Sequence, residues 1–135
     1  MNLLRAVGIS GALFAVSLVI NAIAGRAIGV NLSVALPDDL PRRMWLVGML
    51  SAPVLAATGA VWYFTGGSLS RTAATGAILG AVMVVTGIVL DCVFILPLKN
   101  GVAIMGGYFR AWQYWLTLAL LAGTSTLVGA WPFGV

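Results

Sequence analysis

The chain has 135 residues, 61% of them hydrophobic and 7% charged, with a net charge of +4, one cysteine and no histidine. A soluble domain of this size lacks the polar residues to cover so much apolar surface, so the composition excludes an ordinary water-soluble fold and points to lipid as the solvent. The seven basic residues sit near the ends of apolar runs, where headgroups account for them, and this argues against nucleic-acid binding.

A helix crossing a bilayer needs about 20 apolar residues. Runs of that length lie at 6–25, 44–65, 72–96 and 111–131. The predicted fold is therefore an all-α membrane protein, a compact antiparallel bundle of four transmembrane helices forming one domain over residues 1–135. The first run follows Arg5 and contains Ala22 and Ala24, spaced like a signal-peptide cleavage site. Its length and its continuation past Arg26 favour a retained span. Small residues recur along it as Gly8 with Ala12, Gly11 with Ala15 and Gly25 with Gly29.

The first loop, about 26–43, contains "LPDDLPRR". Pro37 and Pro41 stop helices, and Asp38 or Asp39 is expected to cap the second span beside its dipole. That span repeats Gly48, Ala52, Ala56 and Ala60 at four-residue intervals, one smooth strip suited to close helix approach. Pro53 frees the carbonyl of Met49 and is expected to kink the helix, with Ser51 able to bond the strained turn. The second loop, "GGSLSR", is short enough to predict that the second and third spans are antiparallel neighbours.

The third span carries Gly76, Gly80 and Gly87, then Asp91 four residues later. Pro97 opens a third loop, "LKNGVAIMGGY", read as glycine-rich irregular chain. The fourth span has Ala122, Thr126 and Ala130. These small-residue motifs are expected to pack within the monomer, with a homodimer or a larger membrane complex as the alternatives.

Loops 1 and 3 share one side and hold Arg26, Arg42, Arg43, Lys99 and Arg110, against Arg5 and Arg71 on the other. The positive-inside count puts these loops in the cytoplasm and both termini outside, although Arg5 acting on the first span argues the reverse. Trp45, Trp112 and Trp115 mark the loop 1/3 interface, and Trp62, Tyr63 and Trp131 the opposite one.

Asp91 is the only acidic residue besides the Asp38–Asp39 pair. At about 1.5 Å per residue it lies roughly 10 Å from the bilayer centre, inside the hydrocarbon. The same count brings Asn21, Gln113 and Tyr114 to similar depth, with Arg26 and Arg110 near the rim. An ionisable residue inside a span costs about 2.5–3.5 kcal/mol on insertion scales, so it is turned inward and paired, or it serves a site. Asp91, Asn21, Gln113, Tyr114, Arg110 and Arg26 are the predicted one-leaflet polar cluster. Cys92 reads as a small buried hydrophobe. With no histidine and one cysteine, no metal site and no cofactor are expected.

The stretch "LDCVFILPL…YFRAWQYWLTLALL" resembles the second half of a family of small four-helix bacterial membrane proteins known only as a domain of unknown function. The residues that carry the resemblance are Leu90, Asp91, Pro97, Phe109 and Trp112, over about 87–121. "FRAW" departs from it, with Arg110 where the family has glycine. The resemblance implies the four-span topology, and it brings no activity or site assignment; a bacterial inner-membrane location is expected as well.

Three functions fit these readings. The first is non-enzymatic binding or transport of a small or lipid-like ligand at the Asp91 cluster. The second is an accessory or assembly subunit docking through the helix 2 strip, with Asp91 as a structural latch. The third, a lipid-modifying enzyme, needs a second acid/base group, and Tyr114 alone qualifies.

Overall fold

The computed structural model describes residues 2–31, 36–65 and 71–131. Among these the chain is helical throughout its regular structure: α1 Leu3–Ile28, a 3₁₀ turn Pro37–Asp39, α2 Arg42–Thr65, α3 Ala73–Ile95, α4 Gly101–Arg110 and α5 Trp112–Ala130. The termini of these helices have local chemical causes. Asn2 Oδ1 accepts from the Arg5 amide at 3.0 Å and opens α1. Gly29 closes it in the left-handed region (φ 90°), its amide and that of Val30 both bonded to the Gly25 carbonyl. Thr72 caps α3 through the Thr75 amide at 3.1 Å.

Two expectations fail near the first and third loops. Asp38 and Asp39 do not cap α2; they are taken up in the 3₁₀ turn, and Pro41 precedes the helix. The third loop is not irregular, because Gly101–Arg110 forms α4. Asn100 turns the chain with a positive φ of 64°. Gly101 then fits beneath the end of α3, where a Cβ would strike the Ile95 and Leu96 carbonyls. α4 buries Ile104, Met105 and Gly107, and Gly107 seats directly on the ring of Pro37.

α1, α2 and α3 are each long and apolar enough to cross a membrane. α5 falls outside that group because it opens on Trp112, Gln113, Tyr114 and Trp115 and carries several hydroxyl side chains. It nonetheless makes the most extensive interface in the molecule, against α3, and the next most extensive against α2. α1 packs on α2 and α3. α2 and α3 touch each other only briefly, and α1 and α5 not at all among the described residues. The short link therefore joins two helices that are not principal neighbours, since α2 and α3 are each held by α1 and α5 instead. The link itself, residues 66–70, lies outside the described residues.

Close approach at small residues explains the α3–α5 interface. A Cβ on Gly76 would lie 2.5 Å from the Ser125 carbonyl, and one on Gly80 2.9 Å from Ala122 Cα. The Ser125 hydroxyl, fully buried, donates to the Gly76 carbonyl at 2.9 Å. Rising α3 numbers meet falling α5 numbers, so these two helices run antiparallel. A Cβ on Gly87 would meet nothing within 4 Å, nor would one on Gly48.

The main core joins Ala6 and Ile9 of α1 to Ala56, Ala60, Tyr63 and Phe64 of α2 and to Leu79 and Met83 of α3. Ala52, Ala56 and Ala60 are buried, while Gly48 is only partly covered. α2 runs unbroken through Pro53, and Ser51 Oγ donates to the Gly48 carbonyl at 3.2 Å in the turn before it. Tyr63 is fully buried, and its hydroxyl accepts from the Asn2 amide at 3.0 Å. Apolar side chains cover the outer faces, with Leu50 70% and Leu127 69% exposed. Such a continuous apolar exterior is compatible with a multi-pass membrane protein.

Candidate functional site: the Asp91–Tyr114 pair and a mixed polar and apolar groove

Asp91 projects from the last turn but one of α3 toward the first turn of α5. There Tyr114 Oη donates to Asp91 Oδ2 at 2.8 Å. Among the described residues no arginine reaches the carboxylate. The expected convergence of polar groups on Asp91 thus reduces to one partner. Asn21 donates to the Ser17 carbonyl of its own helix at 2.9 Å. Arg26 is exposed in the last turn of α1, where its charge suits the helix dipole. Depth counting placed these groups at one level, but it carries no information on which way each helix is rotated.

What surrounds Tyr114 is aromatic. Its ring lies 5.5 Å from Tyr108, 6.0 Å from Phe109 and 5.9 Å from Trp115. Trp115 Nε1 donates to the Phe109 carbonyl at 2.7 Å, which ties the α4–α5 corner shut. Tyr108 in turn meets Trp45 of α2 edge-on at 5.8 Å. Beneath them Met105, Tyr114 and Leu118 form a second buried core, edged by Ile88, Cys92 and Ile95 of α3. Cys92 is a partly covered free thiol.

Trp45 has a second face. It lines an open groove of ≈ 780 Å³ together with Pro37, Asp38 and Leu40 of the first loop, Arg42, Leu46 and Met49 of α2, and Arg110 to Gln113 at the α4–α5 junction. Gln113 and Arg110, expected beside Asp91, belong to this groove instead. Residues 113 and 114 are adjacent on α5 and point about 100° apart around the helix, so one faces the groove while its neighbour bonds Asp91.

The groove was missed because its wall is assembled from three separate segments. Trp45 and Trp112 each read as interfacial anchors, and nothing in their spacing shows that they line one groove. Asp38, Leu40, Arg42, Leu46 and Met49 carried no shared motif either. The cluster "YFRAWQYW" at 108–115 was the available signal, since aromatic density at a span end exceeds what anchoring requires. Comparison with protein-family models, with curated proteins and with solved structures gives no match for this chain.

Proposed function

We propose that the chain is a multi-pass integral membrane protein of four antiparallel spans that binds or carries a small lipid-like ligand without transforming it, using the groove between the first loop, α2 and the α4–α5 junction. The observation that carries this reading is the groove's mixed lining. Two arginines, a carboxylate and an amide share it with two indoles and the apolar side chains of Leu46 and Met49. Such a lining offers complementary groups to both the polar head and the apolar chain of an amphipath.

Treating α5 as the fourth span rests on its satisfied polarity. Thr117 and Thr126 donate to carbonyls one turn earlier at 2.8 and 2.9 Å, and Ser125 donates to Gly76. Hydroxyls bonded in this way do not expose unmet polarity to lipid. The packing against α3 along Gly76, Gly80 and Ser125 supports a common depth for the two helices. The basic residues at the groove end support placing that end in the cytoplasm.

In this reading Asp91 is a latch rather than the ligand's anchor. It holds α3 to the start of α5 and so fixes Gln113 and the aromatic wall. The accessory-subunit alternative needs the helix 2 strip as a docking face, and Ala52, Ala56 and Ala60 are already buried within the chain. Native mass spectrometry of the protein extracted gently from membranes tests the proposal. A lipid-sized adduct retained on the native chain, and lost when Gln113→Trp fills the groove, is the expected result. A chain that carries no adduct and takes none up from lipid nanodiscs would refute it, as would a stoichiometric protein partner seated over the groove.

A further inference from the structure

We propose that the groove is a headgroup site for an anionic phospholipid, its phosphodiester held between Arg42 and Arg110 and its acyl chains laid along Leu46 and Met49. The inference rests on the ligand-binding reading above and names the ligand class. Arg42 is the first residue of α2 and Arg110 the last of α4, far apart in sequence and brought to one groove only by the fold. Both are exposed, and among the described residues neither guanidinium has a hydrogen-bond or ion-pair partner. Planar guanidinium donors match the paired oxygens of a phosphate, and two of them can share one phosphodiester.

Charge balance selects among lipids. The lining holds two guanidiniums and one carboxylate, Asp38, so its formal charge is 2 − 1 = +1. A phosphodiester without an ammonium group neutralises that charge. A zwitterionic headgroup leaves it in place. Asp38 and the Gln113 amide are then available as acceptors for headgroup hydroxyls, which a glycerol headgroup supplies.

The apolar half of the ligand has a path as well. Leu46, Leu50 and Val54 recur at four-residue spacing on α2 and are all exposed, continuing the groove wall down the outside of the helix. Trp45 and Trp112 flank the mouth, where indoles favour the headgroup level. Phosphate, hydroxyls and acyl chains thus each find complementary groups in the groove and along α2.

The test places the protein in nanodiscs made from equal parts of phosphatidylglycerol, phosphatidylethanolamine and phosphatidylcholine, and identifies retained lipid by native mass spectrometry. Phosphatidylglycerol is expected to be enriched on the native chain by about tenfold over phosphatidylcholine, the ratio that one good charge-assisted contact provides. The double variant Arg42→Gln/Arg110→Gln should lose that enrichment and keep its unfolding temperature. An enrichment that survives in the double variant would overturn the assignment. Retention of all three lipids without preference would defeat this inference while leaving the ligand-binding reading intact. Preference for phosphatidylethanolamine, abolished by Asp38→Asn, would defeat it in favour of an ammonium-reading site. No retained lipid of any kind would defeat both.

Discussion

Tyr114 donates its phenolic hydrogen to Asp91 across 2.8 Å, joining α5 to α3 through residues 23 apart in sequence. The bond lies at the opposite end of the interface from the Ser125–Gly76 bond, so the two helices are fastened polar-to-polar at both ends and by close-packed small residues between. Tyr114 also stands at the centre of the Tyr108, Phe109 and Trp115 rings, and Tyr108 leads on to Trp45 in the groove wall. The aspartate therefore reaches the groove only through aromatic side chains.

Removing either end of the Asp91–Tyr114 bond should destabilise the fold without abolishing it. Tyr114→Phe is expected to cost about 0.5–1.5 kcal/mol, the net worth of one hydrogen bond. Asp91→Asn keeps an acceptor and should cost less, with lipid retention unchanged. A double-mutant cycle in detergent should return a coupling of about 0.6 kcal/mol, and at most about 1.7, as for other interhelical bonds in membranes. Loss of the retained lipid in a well-folded Asp91→Asn protein would show that the carboxylate touches the ligand.

Two glycines on one helix should respond in opposite ways. Gly80→Leu places a branched side chain where even a Cβ would lie 2.9 Å from Ala122 Cα, and should force α3 and α5 apart. Gly87→Leu enters open space and should change the unfolding free energy by no more than a surface substitution does, about 0.5 kcal/mol. Size-exclusion profiles and thermal unfolding of the two variants make the comparison. Equal damage from both would mean that Gly87 faces a second chain.

Ser125→Ala should lower stability by about 0.6–1.7 kcal/mol through loss of its bond to the Gly76 carbonyl. Thr126→Ala, whose hydroxyl bonds only its own helix at Ala122, should be nearly neutral. Reversible unfolding in mixed micelles measures both. A larger effect at Thr126 than at Ser125 would contradict the α3–α5 register.

The fourth span can be tested by labelling. In a Cys92→Ala background, single cysteines at Lys99 and Trp131 should react with a membrane-impermeant maleimide from opposite sides of sealed vesicles. Reaction of both from one side would show that α5 does not cross.

Much of the secondary structure was legible because long apolar runs bounded by polar stretches read directly as helices. The observed bounds of α1, α2, α3 and α5 fall within a few residues of the apolar runs. α4 was not legible: "GVAIMGGYFR" is short and rich in glycine, and it is helical because Ile104 and Met105 find a tertiary surface. Loop length misled in the same way for α2 and α3. A short link limits the distance between two helix ends, but not the area their sides share.

Composition and patterning by themselves determined the helical class, three helices long and apolar enough to cross a membrane, and the presence of one acidic residue in an apolar segment. Those properties depend on what each residue is and on its distance along the chain. Helix rotation was decided by tertiary structure, and with it the assignment of Tyr114 to Asp91, Gln113 to the groove and Asn21 to its own backbone. A polar residue's depth follows from counting at a fixed rise per turn. Its direction follows from which small residues let two backbones approach, and Gly80 and Gly87 look alike until the partner helix is in place.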